Sequence, residues 1–256
     1  MQFSTVYSTK LNITCIECLK TRIFLGTDHG RILILNPEFK ELGNFMAGDF
    51  FVTGLVAYKE LLVVSSANPF NNLMILQLKN FSPIRKAAVK LHVDEVLTMK
   101  LWKNYVLVGS KDWSISIWEI IIQDEQNKRP RLSLKTKVNF HTDWVINLEI
   151  IDNLMISVGM NDEIAIWNPY DLSAPYNRLV MESKIHAIKI FQATPKTANL
   201  AILLNKSLKI FNLGMEILQT VSIEGSTPLT FLNCYDLAFV DIAGRISYFR
   251  EKVLQK

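Results

Sequence analysis

The chain has 256 residues, 49% of them apolar and 20% charged, with a formal net charge of +4. That composition suits a globular protein with a large buried core. No apolar run of about 18 residues occurs, which argues against a membrane span, and so mild a positive balance permits an acidic partner but falls short of a dedicated nucleic-acid binder.

The opening stretch "MQFSTVYSTKLNITCIECLK" is polar and lacks a basic head followed by an apolar run, so no secretory signal is expected. The three cysteines are an odd, low count. Together these predict a reducing interior, cytoplasmic or nuclear. Cys15 and Cys18 in "CIEC" sit at positions i and i+3, which face opposite sides of an extended strand. They read as two buried strand residues and not as a zinc site, since Cys234 is the only third thiol.

Six segments along the chain share one pattern. They are "ITCIECLK" from Ile13, "VTGLVAYK" from Val52, "VLTMKLWK" from Val96, "VINLEIID" from Val145, "IHAIKIFQ" from Ile185 and "PLTFLNCY" from Pro228. Their starts are spaced by 39, 44, 49, 40 and 43 residues, the period of a four-stranded propeller blade. Each is followed by a second predicted strand, "RIFLGT", "LLVVSS", "YVLVGS", "LMISVG", "NLAILLN" or "DLAFVD". Such near-continuous apolar runs suit strands buried on both faces. Third strands follow in "RILIL", "SISIW", "EIAIW", "SLKIF" and "RISYF", with a vaguer one inside "NLMILQL". Polar fourth strands fall in "FKELGNF", "PIRKAAVKL", "RLSLKTKVNF", "NRLVME" and "ILQTVSIE".

The fourth strand missing from the last unit is supplied by "QFSTVYST" at the N-terminus, which closes the ring and removes its open edges. The prediction is therefore all-β: one propeller domain over residues 1–256, of about six four-stranded blades, with seven as the alternative. No convincing helical period occurs; "QDEQNKRPR" and "QATPKTAN" read as surface loops.

Two units carry a further regularity. His92 precedes Trp118 by 26 residues, and His141 precedes Trp167 by the same 26. On these residues the chain resembles the WD-repeat β-propeller family, in which a His, a turn Asp, a Ser or Thr and a Trp form a network that fixes each blade. The resemblance places His92, Asp112 and Trp118 in that network in the third unit. In the fourth it places His141, Asn161 and Trp167, with Asp162 displaced by one. Buried imidazole, carboxylate and indole N–H groups each need a partner, so the reading is structural and not catalytic. Elsewhere Leu35, Phe211 and Phe249 stand where the family has Trp, and Asn205 where it has Asp.

The succession "HVDEVLTMKL…VGSKDWSISIWEI", "HTDWVINLEI…SVGMNDEIAIWN" and "KIHAIKIF…NKSLKIFNLGMEIL" is also similar to blades of the receptors for activated C-kinase, ribosome-bound scaffolds of seven blades. Their basic first-blade turn is "TDHGR" here, with only Arg31 nearby. A six-bladed count is also shared with coat and nuclear-pore scaffolds whose open propellers are completed by a partner's strands.

The His-bearing loops and Asp-bearing turns fall at one end of the blades, here the top. Trp113, Trp144, Lys111, Asp94 and Glu95 are candidates for partner binding there, beside Asp143, Asn161 and Glu163. An exposed Trp flanked by charge is what interface hot spots are made of; folding back over a neighbouring blade is the alternative. In the "QDEQNKRPR" loop at the opposite end and on the outer strands, Arg129, Arg131, Lys135 and Lys137, with Arg85 and Lys86, form a basic rim that could sit on RNA phosphates. An ordinary solvated strand carries lysines too, since they protect a sheet edge.

Enzymatic candidates are confined to Asp28–His29 and Asp241. No Ser-His-Asp order, Gly-rich phosphate loop or metal-spaced His pair occurs. The expectation is a non-catalytic scaffold without cofactor or metal. It would hold protein partners in a larger assembly, or dock on the small ribosomal subunit through its basic surface.

Overall fold

Near-continuous apolar runs broken by short polar turns leave the backbone one economical solution, an antiparallel meander whose central strands are covered on both faces. The computed structural model describes residues 10–90, 92–122, 130–194, 197–205, 207–222, 229–231, 236–240 and 246–250. Their regular structure is all β, with no helix.

The first sheet is formed by β1 (Ile13–Leu19), β2 (Arg22–Thr27), β3 (Arg31–Leu35) and β4 (Glu41–Met46), in that spatial order. The second holds β5 (Val52–Tyr58), β6 (Leu61–Ser66), β7 (Leu73–Lys79) and β8 (Ser82–Val89). The third holds β9 (Val96–Trp102), β10 (Tyr105–Ser110), β11 (Ser114–Ile121) and β12 (Arg131–Asn139). The fourth follows with β13 (Val145–Ile151), β14 (Leu154–Gly159), β15 (Glu163–Trp167) and β16 (Asn177–Val180). The fifth comprises β17 (Ile185–Thr194), β18 (Thr197–Leu204), β19 (Ser207–Asn212) and β20 (Ile217–Ser222). Three strands make the sixth: β21 (Leu229–Phe231), β22 (Asp236–Val240) and β23 (Ile246–Arg250). The chain divides into two compact units, residues 1–148 and 149–256, at a boundary inside β13. The ring-closing role expected of residues 2–9 lies outside the described residues.

Within the first unit the core lies between successive sheets. β6 is buried at all six positions. Its side chains alternate between two cores: Leu62 and Val64 join Phe24, Ile32 and Ile34 of the first sheet, while Leu61 and Val63 join Val106, Val108 and Trp118 of the third. β7 divides the same way, Met74 and Leu76 one way and Leu73 and Ile75 the other. Each such side chain contributes about 1.5–3 kcal/mol of burial. This packing explains why the second strands read as unbroken apolar runs.

Two expectations change. Among the described residues of "QATPKTAN", expected to be a surface loop, Gln192 pairs with Ala198 and Thr194 with Thr197, so β17 and β18 run on into it. β-Branched threonines suit strands as well as turns, and polarity alone misassigned them. Cys18 is exposed and not buried. Cys15, on the opposite face as expected, turns toward the second sheet with Sγ 3.8 Å from the Val52 carbonyl oxygen. Burial pushes its thiol up to about 11, away from reactivity.

Candidate functional site

Successive strands alternate in direction. The turns joining second to third strands therefore share an end with the loops joining each sheet to the next. Within residues 1–148 these connections form one hydrogen-bonded succession. Ala47 N donates to Gly30 O at 2.9 Å and Ala67 N to Phe51 O at 3.0 Å. Asn72 Nδ2 donates to the carbonyl oxygens of His92 and Asp94, both at 3.0 Å. Lys111 N donates to Glu95 O at 2.9 Å, and the Lys111 ammonium lies 4.9 Å from the Trp144 ring centre.

Beneath this end lies the expected network of the third sheet. His92 is 1% exposed. Its Nδ1 lies 2.9 Å from Asp112 Oδ2 and its Nε2 lies 2.9 Å from Ser116 Oγ. An ionised carboxylate only accepts, so the ring proton sits on Nδ1. Nε2 then accepts from the Ser116 hydroxyl, whose oxygen in turn accepts from Trp118 Nε1 at 2.9 Å. Asp112 also accepts from Val93 N, Lys137 Nζ and the Ser114 hydroxyl. Burial pushes the Asp112 carboxyl up. The hydrogen bonds from His92, Ser114 and Lys137 overcome that and hold it far below the usual carboxylate range.

The fourth sheet solves the same problem differently. Trp167 Nε1 donates to Ser157 Oγ of β14 at 2.8 Å. In the third sheet the hydroxyl is on β11 and Val108 faces it; in the fourth, Ala165 of β15 takes that place and Ser157 faces it across the ladder. Asp162 turns forward and accepts from Ile185 N at 2.8 Å. His141 is buried, 3% exposed. Asn161 occupies the turn between β14 and β15.

Above the network, apolar side chains stand in solvent. Trp113 is 51% and Trp144 41% exposed, and Phe50, Phe51, Phe70 and Val93 are exposed beside them. Each sits on one of the linked loops just described, so the six form an arc along the top of this unit. Sequence reading found the two tryptophans and missed the other four. Their signal was apolar residues inside turn-like stretches, "AGDFF", "ANPFNN" and "LHVDE". Exposed Asp49 and Asp94 and half-buried Asp143 flank the arc. Lys111 pairs with Glu95. Asp94 Oδ1 accepts from Glu95 N at 2.7 Å.

Trp113 is held unusually. Its φ is +67°, and the equivalent turn positions are Gly30 at +74° and Asp162 at +61°. Each of these residues donates its N–H to the carbonyl three residues back. A bulky side chain in the left-handed region costs about 1–2 kcal/mol. A strained, exposed indole is one that packing does not explain.

Other expected residues fall elsewhere. Glu163 is fully buried and pairs with Arg178, so it does not present to solvent. On the outer strands Lys135 pairs with Glu119 at 2.6 Å and Lys137 with Asp112 at 3.0 Å. Lys86 donates to Ala47 O at 2.6 Å. Arg131 begins β12 and Arg85 lies in β8. Arg129 is outside the described residues. Asp28 is half-buried and accepts from Asn12 Nδ2 at 2.7 Å, with the exposed His29 imidazole 3.8 Å away; Asp241 is outside the described residues.

No family model and no curated protein sequence matches this chain. Solved structures do. A crystal structure of the WD40 β-propeller domain of Doa1 matches with a TM-score of 0.72 at 14% identity, over 97% of this chain and 81% of that one. A chain of the mitotic checkpoint complex gives 0.74 at 14% identity, over 95% and 76%. The computationally designed Ika8 protein gives 0.71 at 15% identity, over 93% and 70%. The chain thus has the fold of WD40 β-propellers.

Proposed function

We propose that the top end of residues 1–148 docks another protein and that the chain is a non-catalytic scaffold within a larger assembly, in the cytoplasm or nucleus. The carrying observation is the arc from Phe50 to Trp144, with Trp113 kept exposed in a backbone conformation that suits glycine. WD40 propellers commonly serve as interaction scaffolds, which agrees with this reading. Large apolar rings with charged neighbours are the composition of interface centres. Asp49, Asp94 and Asp143 favour a partner segment bearing Lys or Arg, whose cations can also lie over the rings.

Docking on ribosomal RNA through the outer strands has less support. The ammonium groups of Lys86, Lys135 and Lys137 are already engaged with this chain's own oxygens.

The test is affinity purification with the intact chain and with a Trp113→Gly/Trp144→Ala variant. The partner should be identified with the first and lost with the second. Each Trp should weaken the measured Kd about 30-fold, the effect of roughly 2 kcal/mol at an interface centre. Trp113→Gly alone should melt at or above the parent temperature, because glycine removes the left-handed penalty. Equal capture by both proteins would end the proposal.

A further inference from the structure

The opposite end of the first unit carries a repeat of its own. The turns between first and second strands read "LKTR", "YKEL" and "WKNY" in the first three sheets. Each places a lysine at the same position: Lys20, Lys59 and Lys103, with φ of +54°, +55° and +57°. All three are exposed. The turn does not require lysine, since Asp152 occupies the same position in the fourth sheet at +49°. Asparagine or glycine would fit with less strain. Three successive sheets nonetheless bear a cation there.

In the three lysine turns the sole carboxylate is Glu60, which is paired with Arg22 at 3.1 Å. β1, β5 and β9 lie side by side, and sheets that pack face to face sit about 10 Å apart, so the lysines follow an arc. Between the first two turns opens a cleft of about 520 Å³ lined by Lys20, Arg22, Lys59, Glu60 and Tyr58. That is a size that holds a small ligand or part of a polymer.

We infer that this end binds the phosphate backbone of a single-stranded nucleic acid, with a base entering the cleft beside Tyr58. A basic track with an aromatic wall is the arrangement that holds single strands without sequence preference. An anionic membrane is the weaker match: the tips of the three turns are Lys20–Thr21, Lys59–Glu60 and Lys103–Asn104, and none offers an apolar side chain to insert. The inference is independent of the top-face reading, which concerns the other end of the sheets. It also differs from the basic rim expected from sequence, whose cations lie on the outer strands and the "QDEQNKRPR" loop and not in these turns.

The probe is a fluorescein-labelled 20-nucleotide oligouridylate, titrated by anisotropy with the intact chain at several salt concentrations. The parent should bind with strongly salt-dependent affinity. The variant Lys20→Asn/Lys59→Asn/Lys103→Asn should bind about 100-fold more weakly near 0.1 M salt, with its log–log salt slope smaller by about 2, the expected loss of three phosphate contacts. Asparagine suits the left-handed turns, so this variant should melt no lower than the parent. A second variant with three Lys→Gln changes keeps the strain and removes only charge, and must lose the same affinity. No binding by the parent, equal slopes in parent and variants, or binding to phosphatidylserine vesicles without binding to the oligonucleotide would each overturn the inference.

Discussion

Asp112→Ala should remove about 3 kcal/mol of unfolding free energy, because it strips buried neutral donors of the ionised acceptor they share. Five donors among the described residues converge on this carboxylate: His92 Nδ1, the Ser114 hydroxyl and backbone N–H, Val93 N and Lys137 Nζ. Deleting it orphans the imidazole N–H first. His92 has almost no access to water, and an unsatisfied buried donor costs roughly 1–3 kcal/mol by itself. The damage then passes down the relay, because Ser116 and Trp118 depend on the tautomer that Asp112 selects. Against a typical total of about 5–15 kcal/mol, this is a large fraction. Urea titration should show a lower midpoint with an unchanged slope. Asp112→Asn should be milder, since the fourth sheet carries Asn161 at the equivalent turn position.

The same residue makes a signed pH prediction. Its carboxyl is held well below the usual range when folded, whereas the unfolded chain titrates near about 3.9. The unfolded state therefore binds more protons as acid is added. The stabilisation is complete above about pH 5 and is lost as pH falls through the unfolded value and on toward the folded one. Parent and Asp112→Ala should thus differ most near neutrality and converge in acid. A constant difference from pH 7 to pH 3 would contradict the assigned ionisation.

Gly30→Ala should cost about 2–5 kcal/mol, from the left-handed penalty together with overpacking. Gly30 has φ +74°, and a β-carbon there would lie 2.0 Å from the Gly48 carbonyl oxygen and 2.9 Å from that of Phe50. These are backbone atoms and cannot rotate aside. The loop bearing Phe50 and Phe51 would have to shift, so the docking affinity proposed for the top end should fall along with stability. Gly48→Ala supplies the contrast. Nothing lies within 4 Å of its β-carbon position, so that variant should stay within about 1 kcal/mol of the parent. Similar midpoints for the two variants would refute the close approach.

Strands were legible because burial on both faces writes itself as uninterrupted apolar residues. "RIFLGT", "LLVVSS", "YVLVGS" and "LMISVG" coincide with β2, β6, β10 and β14. Polar outer strands blurred by a residue or two, since one face is wet. "QATPKTAN" failed because threonine serves strand and turn alike. The network was half legible: the His–Trp spacing located His92 and Trp118, and the resemblance to WD repeats added Asp112. The serines that complete it look ordinary in a sequence, and so does Asn72, which is buried and joins the second sheet to the His92 loop. Phe50, Phe51, Phe70 and Val93 were missed because apolar letters near strands are read as core. The lysine turns were missed because one lysine in a turn is unremarkable, and only the backbone angle shows three to be equivalent.

The hydroxyl that holds each indole has changed sides, from β11 in one module to β14 in the next. Facing positions on an antiparallel ladder are only about 5 Å apart, so a polar atom can migrate across while the tie survives. Drift of this sort erases column-by-column agreement and leaves three-dimensional chemistry intact. Agreement at any one sequence column is then a poor guide to a shared architecture, and this chain superimposes on structures to which it is 14–15% identical.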